Sequence, residues 1–113
     1  MTFVHHKTLT AEKWVKYPFY KQILMIANEL NRAKNMILMS DIPETEKCYE
    51  RAFELIDITV ALNKKRGVLK ELLRLRELMA STYFLKEYES KTNSAYYNVL
   101  LSFTPESFVL SEI

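Results

Sequence analysis

The stretch PFYKQILMIANELNRAKNMILM, residues 18–39, decides how the rest of the chain is read. Within it Phe19, Ile23, Ile26, Leu30, Ala33 and Ile37 recur every three or four positions, the period that gathers side chains on one face of an α-helix. Pro18 suits the first turn, where its missing N–H removes no hydrogen bond. The expectation is a first long helix over about 18–39 that buries one oily side.

Toward the C-terminus, Asp41 stands three residues before Glu44, a capping-box-like spacing, and Pro43 is tolerated in a first turn. A second helix is expected over about 42–62, with Cys48, Ala52, Leu55, Ile56, Thr59 and Val60 on one side. The polar segment Asn63 to Gly67 reads as a short link between antiparallel neighbours. A third helix is expected over about 68–88, then a polar break from Glu89 to Asn93. A shorter fourth helix follows around Tyr96, Val99, Leu100 and Phe103, and Thr104 with Pro105 is placed to cap a last turn. Toward the N-terminus, Thr10 caps a single turn that tucks Trp14 against the bundle, and residues 1–9 read as an extended arm. The expected architecture is all-α, one domain over 1–113, an up-and-down antiparallel bundle of three long helices plus a short fourth.

Composition agrees with helices. One glycine and three prolines in 113 residues are too few for strands joined by tight turns. Apolar residues at 49% and charged residues at 27% describe a globular chain rather than a disordered one. Sixteen basic and fourteen acidic side chains give a net charge of +2, well short of the balance typical of nucleic-acid binders. The single cysteine, Cys48, has no internal disulfide partner and points to a reducing, cytoplasmic setting. No apolar run approaches the roughly 20 residues of a membrane span, so no membrane is expected as a partner.

Polar residues placed where the period predicts burial are the informative ones. Arg76 falls between Leu72 with Tyr83 and Leu69 with Ala80, near the middle of an apolar arc, and is expected to point inward. An arginine cannot shed its proton to escape desolvation, so it must find a carboxylate or water. Glu29 borders the buried stripe of the first helix and is the expected partner, with Gln22 and Arg51 or Asp57 completing the hydrogen bonding. This cluster reads first as a buried ion pair that sets helix register, and alternatively as the lining of a pocket for a polar or anionic ligand.

Lys64, Lys65, Arg66, Lys70 and Arg74 form a basic patch. It reads first as a solvated helix end with Arg74 paired to Glu71 or Glu77, and alternatively as a phosphate contact. His5 and His6 are adjacent rather than four apart and do not suit a shared metal. Cys48 lies on an apolar arc without a histidine nearby and reads as a buried thiol. With one glycine and no assembled nucleophile, base and orienter, neither a phosphate loop nor a catalytic triad can be built. No cofactor is expected, and the leaning is against an enzyme.

Three blocks carry a resemblance. They are Trp14 followed by Gln22, Ile23, Ile26, Glu29, Arg32 and Ala33; then Arg51, Ala52, Glu54, Leu55, Asp57 and Thr59; then Leu69, Lys70, Glu71, Leu72, Arg74, Arg76 and Glu77. Together with Tyr96, Tyr97 and Phe103 this pattern resembles a family of small prokaryotic all-helical proteins to which no activity is attached. The likeness spans roughly 14–77, departs at Ala27 and Asn28, and implies no catalytic residue. Ribonucleases of the HEPN type place an arginine before a histidine, whereas both histidines here precede every arginine. Helical accessory proteins of diversity-generating retroelements are similar at fold level but more basic.

Three functional expectations follow. The first is a non-enzymatic protein-interaction module, self-associating as a homo-oligomer or docking a protein partner. Its surface would include the apolar segment Tyr96 to Val109 and the residual apolar side chains Leu24, Met39, Phe84 and Leu85. The second is a nucleic-acid accessory protein that uses the 64–74 segment. The third is a small-molecule or cryptic catalytic site at Glu29 and Arg76.

Overall fold

The computed structural model describes residues 9–63 and 66–105, and these are helical throughout apart from short connections. Five helices follow in order: α1 (Ala11–Val15), α2 (Phe19–Leu38), α3 (Ile42–Leu62), α4 (Arg66–Leu85) and α5 (Ser90–Leu101). No strand occurs among the described residues. None of the helices is long and apolar enough to cross a membrane.

Helix α2 buries Ile23, Ile26, Ala27, Leu30 and Ala33 essentially completely. It packs most extensively against α3 and then α5, whereas α4 makes smaller contacts with α3 and α5. Helix α3 touches α1, α2 and α4. That central position widens its buried arc beyond the stripe read from the sequence, adding Thr45, Tyr49 and Ile58.

Side-chain caps set the starts of α1 and α3. The Thr10 hydroxyl accepts from the Lys13 backbone N–H, and Asp41 accepts from that of Glu44. Each satisfies an N–H that the first turn leaves free. Trp14 is fully buried. Its Nε1 donates to Thr59 Oγ1 at 2.9 Å, and Thr59 donates in turn to the Leu55 carbonyl. The short α1 is thus fastened to α3 by a polar bond inside an apolar contact.

Two boundaries differ from expectation. The third helix ends at Leu85 rather than 88, and the fourth begins at Ser90, before the expected break is over. The stop is a Schellman motif, with Glu87 N–H bonded to the Thr82 carbonyl and Lys86 N–H to that of Tyr83. Lys86 takes the left-handed conformation at φ 54°, and Ser40 does the same at φ 57° after α2. Glycine normally occupies that position, so neither stop carries its usual signature. The one glycine, Gly67, lies instead in the first turn of α4, which starts at Arg66. Asn93, expected in the break, is a buried side chain inside α5. The expected turn after Thr104 and Pro105 falls largely on residues outside those described, as do most of the N-terminal arm and His5 and His6.

Candidate functional site

The five residues expected to meet in one polar cluster occupy three places. Glu29, 3% exposed, projects from α2 toward α3. Its Oε2 accepts from Arg51 Nε at 2.7 Å and its Oε1 from Arg32 Nη1 at 2.6 Å. Arg51 also donates through Nη2 to the Cys48 thiol at 3.3 Å. Burial pulls the Arg51 pKa down, but the bond and charge of Glu29 outweigh it, and the net direction is up. Burial pushes the Cys48 thiol above its ordinary value, and the Arg51 charge offsets only part of that. The thiol is therefore held protonated and out of solvent, the opposite of an activated nucleophile.

Arg76 does not reach Glu29. It pairs with Asp57 across α3 and α4, Nε to Oδ1 at 2.7 Å and Nη2 to Oδ2 at 3.1 Å, with its guanidinium 5.0 Å from the Phe53 ring centroid. The pair is partly solvated, with side chains 34% and 43% exposed. Helix α4 buries a narrow arc of Leu72, Leu75, Met79 and Thr82. Tyr83, Leu69 and Ala80, which made Arg76 look central, are themselves only half-buried. Gln22 belongs to a third place. Its Nε2 donates to the carbonyls of Trp14 and Tyr17, each at 3.1 Å, and clasps α1 to the start of α2.

Of the basic patch, Lys64 and Lys65 lie outside the described residues. Arg66, Lys70 and Arg74 are exposed on α4 at four-residue spacing, and Arg74 bonds Glu71 at 3.1 Å. Among the described residues no three His, Cys, Asp or Glu side chains converge as a metal site would require.

Three polar arrangements had no clear sequence signal. Tyr49 donates to Asn93 Oδ1, and Asn93 Nδ2 donates to the Leu30 carbonyl, both at 2.9 Å, tying α3, α5 and α2 together. Tyr96 Oη lies 2.7 Å from Thr82 Oγ1 and donates to the Leu78 carbonyl, joining α5 to α4. Tyr83 donates to Glu50 at 2.7 Å within a chain of edge-to-face rings that links Tyr88, Tyr49, Phe53, Tyr83 and Phe84. The Tyr88 hydroxyl is buried with no hydrogen-bond partner among the described residues.

Two surfaces stand out among the described residues. One is a cleft of about 250 Å³ between α2 and α5, lined by Leu30, Asn31, Lys34, Asn93, Ser94, Tyr97 and Asn98. The other is the outer side of α4, where Leu73, Leu78, Phe84 and Leu85 are exposed, Phe84 by 79%. Leu38, Met39 and Ile42 are exposed around the turn between α2 and α3. Of the apolar side chains expected on the surface, Leu24 is instead half-buried against the core. Tyr96, Leu100 and Leu101 also face inward, and Val109 lies outside the described residues. Comparison of the chain with protein-family models, with curated proteins and with solved structures finds no match.

Proposed function

We propose that the chain is a non-enzymatic interaction module, an up-and-down antiparallel bundle that self-associates through the outer side of α4. The order of the cross-helix pairs supports the arrangement. From Glu46–Lys86 through Glu50–Tyr83 to Asp57–Arg76, numbers rise along α3 and fall along α4. Short connections on either side of α3 favour antiparallel neighbours.

The observation that carries the interaction reading is Phe84, a large aromatic left 79% exposed beside Leu85 at 62%. Leu73 lies on the same edge of α4 as Phe84, and Leu78 shares an edge with Leu85. Single exposed apolar side chains are ordinary, whereas Phe84 and Leu85 are adjacent and both largely exposed at the end of α4, and that pair supports a contact surface. The interface sits on α4 rather than on α5, whose apolar residues are largely spent in the core. Sedimentation velocity across a concentration series tests it. The wild type should form a dimer or larger species, and Phe84→Glu with Leu85→Glu, both at exposed positions, should yield a folded monomer. A wild type that stays monomeric at the highest concentration overturns the proposal.

A second reading, contact with a nucleic acid, draws on Arg66, Lys70 and Arg74 sharing one side of α4. The same sedimentation run with an added oligonucleotide at low salt should then show co-migration that fades steeply as salt rises. No co-migration at low salt dismisses it.

A further inference from the structure

We infer that the cleft between α2 and α5 is a binding site for a small molecule bearing a carboxylate or phosphate group, with the Lys34 ammonium as its principal anchor. Three observations lead there. The lining is rich in hydrogen-bond donors: the carboxamides of Asn31 and Asn98, the hydroxyls of Ser94 and Tyr97, and Lys34, with Leu30 as the one aliphatic side chain. No carboxylate is among the lining residues, so the lining itself offers an incoming anion one cation and several neutral donors. An oxyanion accepts bonds from such groups and gains extra strength from the charged one.

The second observation is a rigid base. Asn93 is 1% exposed, and its orientation is settled because Oδ1 accepts from Tyr49 while Nδ2 donates to the Leu30 carbonyl. A carboxamide has two N–H groups and two lone pairs, so Asn93 keeps one further donor position while remaining fixed in place. A polar group immobilised before the ligand arrives saves the ordering cost that weakens binding to mobile surfaces. Helices α2 and α5, which form the walls, also share one of the more extensive contacts in the molecule.

Size is the third observation. About 250 Å³ falls just below the roughly 300–1,000 Å³ of sites that take drug-sized ligands. The cleft therefore suits a compact metabolite or the acidic end of a longer one. This site is separate from the outer side of α4, and the two proposals stand or fall independently.

Titration of isotopically labelled protein, followed by amide and side-chain chemical shifts at constant ionic strength, is the test. The probes are inorganic phosphate, succinate and, as an uncharged control, glucose. Phosphate, succinate or both should move the signals of Asn31, Lys34, Ser94, Tyr97 and Asn98 in a saturable way, while glucose leaves them in place. Response to phosphate alone narrows the ligand to phosphate esters, and response to succinate alone narrows it to carboxylates. Lys34→Gln should weaken the affinity about tenfold or more, which corresponds to about 1.4 kcal/mol, and Lys34→Arg should recover most of it. Lys34 is exposed, so neither variant endangers folding. Absence of saturable shifts with both anions, equal response to glucose, or unchanged affinity in Lys34→Gln overturns the inference.

Discussion

Two arginines of this chain face carboxylates across helix boundaries, and their surroundings assign them different weights. Glu29 is nearly sealed from water and is held by two arginines, of which Arg51 is 23% exposed and Arg32 65% exposed, so Arg51 is the partner less screened by solvent. Removing Arg51 leaves the buried carboxylate with only the solvent-facing Arg32, and breaking the inner half of such a pair is costlier than the pair is worth intact. Arg76 and Asp57 are both partly hydrated, and charges in that setting contribute little net free energy. Arg51→Ala should therefore lower the unfolding free energy by about 3 kcal/mol, and Arg76→Ala by about 1 kcal/mol. Urea unfolding of the two variants decides the matter. Equal losses would mean that burial does not set the hierarchy.

At the scale of elements, α3 and α4 are joined by a seam of aromatic rings closed by Tyr83 and Glu50. The bond to Glu50, with burial and the Glu50 charge adding to it, raises the Tyr83 pKa from 10.0 to about 12. The neutral phenol is the form that donates, so folding stabilises the proton. A pKa raised by folding contributes stability that is complete below pH 10 and is lost as pH climbs toward 12. Burial pushes Tyr49 and Tyr88 upward as well, so the informative quantity is the difference between wild type and Tyr83→Phe. Near neutral pH the variant should be less stable by about 1 kcal/mol, the typical worth of one hydrogen bond. That gap should close between pH 10 and pH 12 in denaturant titrations, and a gap that persists above pH 12 would contradict the assignment.

Across the whole molecule the helices are unequally anchored. Helix α2 buries seven side chains between two extensive neighbours, while α4 buries four and meets its neighbours over smaller contacts. Local opening follows the number of buried contacts that must break. Native-state hydrogen exchange in dilute protein should therefore show α4 amides opening at lower free energy than those of α2. Identical opening energies for both would indicate a single cooperative unit. A helix that is held over smaller contacts and leaves Phe84 and Leu85 exposed is also the one that gains most from a second molecule, which is why the interaction proposal rests there.

The chain alone determined the helices, because the three-to-four-residue period of apolar side chains is a local property and survives any tertiary context. The start of α3 and the α1 turn were equally legible, since Asp41 and Thr10 cap through bonds only three residues long. Helix ends were less so. Ser40 and Lys86 adopt left-handed conformations without glycine, and the pattern of a stop is invisible when an unusual residue makes it. Tertiary structure alone decided which polar residues meet. Helical phase puts Glu29 at the border of a buried stripe and Arg76 near the middle of an apolar arc, but it carries no information about which neighbour each faces, and Leu69, Ala80 and Tyr83 on the arc around Arg76 are only half-buried. Asn93 looked like part of a break because its partners, Tyr49 and Leu30, are distant in sequence. The cleft beside it exists only because α2 and α5 come together.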